Sequence, residues 1–136
     1  MFEILEHPAD IGFRATGKSK EELFETAALA LVSVAMETDR VEPRHSYRLE
    51  AAGEDLEALL VNWLSETLYW LDGERIAFRN FRVEELTPGR VRGYGQGEPQ
   101  DAARHPAKLI VKAVTYHQLK IVESPEGWTA EVYLDI

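Results

Sequence analysis

The sequence predicts an α+β fold, a single domain in which two apolar helices are packed between β-sheets. Three observations predict it. Residues 23–36, LFETAALALVSVAM, are apolar almost all the way round, whereas a helix lying on a surface keeps a polar stripe. Residues 55–73 form a second helical stretch whose apolar set, from Leu56 to Leu71, leaves only Asn62, Ser65, Glu66 and Tyr69 as a narrow polar band. Most of the remainder divides into strand-like runs, and helices covered on both sides beside that many strands call for a layer on each side.

Each element has a local reason. Residues 2–6, FEILE, read as a short strand, and His7-Pro8-Ala9-Asp10 as a turn, since proline disfavours helix at the residue before it. In DIGFRATG, Ile11, Phe13 and Ala15 alternate with Gly12, Arg14 and Thr16, as in a half-buried strand. Ser19 caps the first helix, with Glu21 and Glu22 where the helix dipole favours acid. Residues 45–53 are the next strand. Glu54 or Asp55 opens the second helix, and Gly73 is placed to stop it. Six strand candidates follow in residues 75–78, 81–86, 90–94, 108–117, 119–124 and 128–136. Thr87-Pro88-Gly89 and Ser124-Pro125-Glu126-Gly127 are turns, the second closing a hairpin. The Gly/Pro-rich stretch 95–107 reads as a mobile loop, and GYGQGEP (93–99), which overlaps its start, is no phosphate cradle because it does not lead from a strand into a helix.

Composition excludes several functions. The 136 residues include no cysteine, so thiol chemistry, disulfides and thiolate metal sites are absent. No apolar run approaches the roughly 20 residues of a membrane span, and the N-terminus has no secretory pattern, so the expected compartment is the cytoplasm. Fifteen Lys and Arg against twenty-four Asp and Glu give a net charge of −9. Arg75, Arg79, Arg82, Arg90 and Arg92 are interleaved with Glu74, Glu84 and Glu85. Strong direct nucleic-acid binding and membrane attachment are therefore not expected, and a cation or a basic protein surface is the better match.

Catalytic signatures are missing. The histidines His7, His45, His105 and His117 lack the i, i+4 spacing of a zinc helix, and no serine sits in a nucleophile elbow. Lys112 lies mid-strand with Ile110, Val114 and Tyr116, either as an edge lysine that discourages aggregation or as a cation aimed at a partner or an acid. Asp135 shares the polar face of its strand with Thr129, Glu131 and Tyr133, which suits a merely solvated carboxylate. Glu131 is roughly 13 Å away along an extended strand, too far to share an ion with it. Asp10 opens a strand, where a turn-forming aspartate is the plain alternative. If the first and last strands pair, Asp10 and Asp135 meet, and the carbonyl or terminal carboxylate of Ile136 adds oxygen. Such hard-oxygen donors suit calcium or magnesium and not zinc, with water or a partner completing the shell.

Four motifs carry a resemblance. His7-Pro8-Ala9-Asp10-Ile11-Gly12, residues 59–66 (LLVNWLSE), His105-Pro106 with residues 111–117 (VKAVTYH), and Leu134-Asp135-Ile136 occur in an order that resembles the archease family over essentially the whole chain. The first motif departs from that family's pattern, with Pro8 in place of threonine. The resemblance implies a small acidic activator of the RtcB-type RNA ligase, which joins tRNA exons and repairs RNA. It would promote GTP-dependent guanylylation and multiple turnover without being an enzyme itself. It also implies helices packed between sheets and a divalent-ion site, calcium first and magnesium or manganese as alternatives. That site falls at positions matching Asp10, Asp135 and Ile136, with Lys112 serving activation. His7 and His117 are candidates to support the ligands from behind. The competing expectation is a metal-dependent phosphoesterase-type enzyme acting on a small molecule, although such sites need more ligands and a general base. A plain interaction module without metal is the third.

Overall fold

Among the described residues, two antiparallel sheets form the outer layers and two helices lie between them. The computed structural model describes residues 1–7 and 10–136, and all of their side chains except those of Glu6 and His7. The expected turn at residues 7–10 therefore falls partly outside the described residues. The first sheet contains β1 (Phe2–His7), β2 (Asp10–Gly17), β6 (Ala113–Val114), β7 (Lys120–Ser124) and β8 (Gly127–Asp135). Its order is β1-β2-β8-β6, with β7 also on β8. The second sheet has the order β3-β5-β4, from β3 (His45–Ala52), β4 (Ile76–Thr87) and β5 (Arg90–Pro99).

Helix α1 (Lys20–Ala35) runs between the sheets and packs against β2 on one side and β4 on the other. This is why its sequence has no polar stripe. Leu23, Phe24, Ala27, Ala28, Leu31 and Val32 are all fully buried, and each large one among them contributes about 1.5–3 kcal/mol. The alanines let the two layers approach. Ser19 accepts a hydrogen bond from the Glu22 N–H at 3.1 Å and Glu22 reaches back to the Lys18 N–H at 3.1 Å, so the first turn is capped from both directions. Helix α2 (Leu56–Leu68), capped by Asp55, lies beside α1 against β3 and reaches β6. The buried Trp63 indole N–H donates to the Phe24 carbonyl at 3.0 Å and joins the two helices.

The structure corrects four expectations. Residues 75–78 and 81–86 are one strand, β4, bent by irregularities near Arg79 and Glu84. The Glu25 carboxylate of α1 accepts the Val83 N–H at 2.8 Å beside the second of these. GYGQGEP belongs to strand β5 and is no loop. The inward glycines are demanded by the bends of β4: a Cβ on Gly97 would overlap the Ala77 carbonyl, and one on Gly95 would sit 2.6 Å from the Phe78 ring. Gly73 is not a left-handed cap. Helix α2 widens into a π-helical turn, Tyr69–Gly73, and the left-handed residue is Arg75, with φ of 60°. Finally, residues 108–117 form no long strand. The amides of Glu37 and Lys108 bond across the end of α1, to the carbonyls of Pro106 at 3.0 Å and Ala35 at 2.9 Å. The segment reaches the sheet only from Lys112 to Thr115, around β6. Ile110 is 76% exposed and Val111 is buried, so Lys112 shares an exposed side with Ile110 and Tyr116.

Candidate functional site

The first and last strands do pair. Ile11 stands opposite Leu134, Gly12 opposite Tyr133 and Arg14 opposite Glu131. Phe13, Ala15, Val132 and Leu134 point into the core, so Asp10 and Asp135 share the outer face with Arg14 and Glu131. One step beyond Ile11 and Leu134, that register sets the two aspartates side by side, where Cβ atoms of neighbouring strands lie about 4.5–5.5 Å apart. Asp135 is exposed, and Oδ1 of the half-buried Asp10 is shielded from solvent. Glu131 serves elsewhere: Arg14 binds it at 3.2 Å and Glu3 at 3.0 Å, and both partners hold the guanidinium pKa up.

On the other flank of β8, the Lys112 N–H donates to the Asp135 carbonyl at 2.8 Å, and Ala113 pairs with Asp135. The Lys112 side chain is exposed and makes no ion pair among the described residues. Ile136 follows Asp135 and is 41% exposed. His7 pairs with Asp10 in the β1–β2 register, its side chain lying outside the described set. His117 is exposed, with its ring 6.5 Å from that of Tyr133. Thus Asp10, Asp135, Ile136 and Lys112 meet at one end of the sheet, and His117 adjoins them through Tyr133.

Sequence reasoning missed two participants. Gly12 lacks a side chain because a Cβ there would lie 2.7 Å from the Tyr133 ring, so the phenol rests over β2 beside the row that carries Asp10. The signal was the outward glycine itself, on a strand whose neighbours are large. As donors, the two carboxylates and the main-chain oxygen of Ile136 are all hard, and they suit a divalent cation of the calcium or magnesium kind. Among the described residues no group of three or more His, Cys, Asp and Glu side chains gathers in one place.

A second polar constellation is buried at the far end of β5. Glu98 is 4% exposed and its carboxylate accepts the Glu42 N–H at 2.8 Å and two Arg104 nitrogens at 2.7 and 3.1 Å, with Arg44 at 3.3 Å. His105 completes it. Its Nδ1 accepts the Asp101 N–H at 3.0 Å, so the proton sits on Nε2 and points at Glu98, 3.0 Å away. The Glu42 amide outweighs the desolvation, and with Arg104 and His105 it lowers the Glu98 pKa to about 2. Both Glu98 carboxylate oxygens and both His105 ring nitrogens have partners, and the cluster fastens the segment leading to Lys112 onto the β3–β5–β4 sheet.

Residues 2–136 match the model of the archease protein family. The chain belongs to the archease family. Protein archease of Methanosarcina barkeri is 40% identical over 139 residues, covering 99% of this chain and 95% of the relative. The Pyrococcus abyssi archease is 42% identical over 139 residues, covering 99% and 98%. The solution structure of Methanobacterium thermoautotrophicum protein 1598 is similar with a TM-score of 0.83 and 36% identity, covering 99% of this chain and 98% of that one. An archease from Thermotoga maritima, described as a possible chaperone, shares the fold at a TM-score of 0.67 and 20% identity, covering 97% and 94%. The helices packed against antiparallel sheets are thus the archease architecture. Among the described residues, no helix is long and apolar enough to cross a membrane.

Proposed function

We propose that this archease-family protein activates an RtcB-type RNA ligase, promoting its GTP-dependent guanylylation and turnover through a divalent-metal-bearing tip. The observation that supports this reading most is the meeting of Asp10 and Asp135, 125 residues apart in sequence, with Lys112 held to Asp135 by a main-chain bond. Two carboxylates and the main-chain oxygen of Ile136 would hold a calcium ion, or magnesium or manganese in its place. So few protein donors leave positions for water or a partner's oxygens. An incomplete shell of that kind suits a tip that enters another protein's active site and helps order metal and nucleotide there. The bound ion would supply positive charge near phosphate oxygens, and Lys112 would add a second cation. The acidic chain, −9 overall, suits a basic partner and not RNA itself. Full stimulation of the ligase by folded Asp10→Ala and Asp135→Ala variants would refute the assignment of the tip.

A further inference from the structure

We propose that Tyr133 is a positioning residue of the ion-binding tip: its ring walls the Asp10–Asp135 pair off from Arg14 and so keeps both carboxylates for a divalent ion. This rests on the reading of the tip above and deepens it. The outer face of the first sheet is ordered in rows that cross its strands. One row holds Leu5, Gly12 and Tyr133, and the next holds Glu3, Arg14, Glu131 and Lys120. Asp10 and Asp135 stand on the other side of the Tyr133 row, two residues from Gly12 and from Tyr133. The outward order along β2 is therefore Asp10, Gly12, Arg14. On that strand only a glycine separates a carboxylate from a guanidinium.

A bare glycine would leave the path between them open. Asp10 and Arg14 span roughly 13 Å of extended strand, and an arginine laid along β2 over Gly12, met by the reach of Asp10, would close most of it. The structure fills that path. A Cβ on Gly12 would lie 2.7 Å from Cε1 and 2.8 Å from Cδ1 of Tyr133, so the edge of the ring occupies the space over Gly12. Behind this wall the guanidinium is spent sideways: Nη1 donates to Glu3 at 3.0 Å, and Nε and Nη2 donate to Glu131 at 3.2 Å each. Tyr133 is itself held in place. Its carbonyl accepts the Thr115 N–H at 3.1 Å and hydroxyl at 3.0 Å, and the His117 ring stands edge-on to it at 6.5 Å. Without the wall, Arg14 and a bound ion would compete for the same two acids. A unit positive charge about 6 Å from a dication lowers its affinity about tenfold even with the screening of water.

The test is binding of calcium, magnesium and manganese to the whole protein, read by titration calorimetry and by the rise in Tm, in a double-mutant cycle between Tyr133 and Arg14. Guanylylation of the ligase is assayed in parallel. Tyr133→Thr removes the ring and keeps a strand-favouring side chain, and Gly12→Ala drives the ring aside without removing it; circular dichroism checks the fold of both. Each is expected to weaken ion binding by about tenfold. Arg14→Gln is expected to restore most of that loss, raising the affinity at least about fivefold more in these variants than in wild type. Comparing the two ratios cancels what the released Glu3 and Glu131 do by themselves. Tyr133→Phe keeps the ring, and Arg14→Gln is expected to act on it as on wild type. Unchanged affinity in folded Tyr133→Thr and Gly12→Ala overturns the wall, and so does an Arg14→Gln effect of equal size with and without the ring. Coupling between Tyr133 and Arg14 without stimulation of the ligase would support the wall and sink the activation reading alone; no ion bound by wild type would sink both the tip and its wall.

Discussion

Replacing Gly97 by alanine should separate the two readings of GYGQGEP, and Gly89 supplies the internal control. In β5 a Cβ at position 97 would overlap the Ala77 carbonyl and lie 2.8 Å from its carbon and 2.9 Å from the Phe78 Cα. All three atoms are backbone of β4, so no side chain can swing aside. The strands must part, and such overpacking costs about 1–3 kcal/mol. One or two weakened ladder hydrogen bonds add about 1 kcal/mol each. Fewer unfolded conformers return about 0.4–1 kcal/mol. The net loss is about 2–4 kcal/mol, a fall in Tm of roughly 8–16 °C for a chain of this size. A Cβ on Gly89, in the turn between the same two strands, would meet nothing within 4 Å. Its φ is not positive, so Gly89→Ala should be neutral or stabilise by up to about 1 kcal/mol. Urea melts followed by circular dichroism read both variants. A Gly97→Ala variant within about 0.5 kcal/mol of wild type would refute the close approach of β4 and β5.

The buried carboxylate gives a pH prediction. Glu98 stays ionised in the fold down to about 2 against an ordinary value of 4.5, so the unfolded chain binds the proton first. Its contribution is fully present above 4.5 and is lost as pH falls through that window toward about 2. Acid titration of the melting temperature should therefore be shallower in this range for Glu98→Gln, which should also be less stable at neutral pH. Trp63→Phe removes the bond to Phe24 and three buried ring atoms, and should destabilise by about 3 kcal/mol in chemical melts. Calcium in excess should raise the Tm of wild type, and Asp10→Ala and Asp135→Ala should abolish the rise; an equal rise in both variants would place the ion elsewhere.

Some of this was legible from residues alone, for physical reasons. Helix α1 announced itself by Ser19, Glu22 and an unbroken apolar circumference, and that circumference required a sheet on each side. The alternation in DIGFRATG and WTAEVYLDI was enough to put Asp10 and Asp135 on one face once the strands paired. β5 was hidden because its inward glycines carry no hydrophobic signal; the reason for them is the backbone of β4, which no local pattern reveals. The segment around Lys112 read as one long strand from its apolar residues, yet its Lys108 amide bonds to the end of α1 and the chain joins β8 only from Lys112 to Thr115. Glu98 gave no sign, since its partners Glu42 and Arg44 lie more than 50 residues away in sequence. His105 was noticed for its proline and proved to be a core histidine serving that acid.

The central claim is tested most directly by guanylylation of the cognate ligase with labelled GTP and a divalent metal, in the absence and presence of this protein and of its Asp135→Ala variant. The account predicts faster and more complete labelling with wild type and labelling at the unassisted rate with the variant, whose fold is confirmed by circular dichroism. Equal stimulation by both would detach the activity from the paired aspartates. No stimulation by either would contradict the proposed function and leave the archease fold without it.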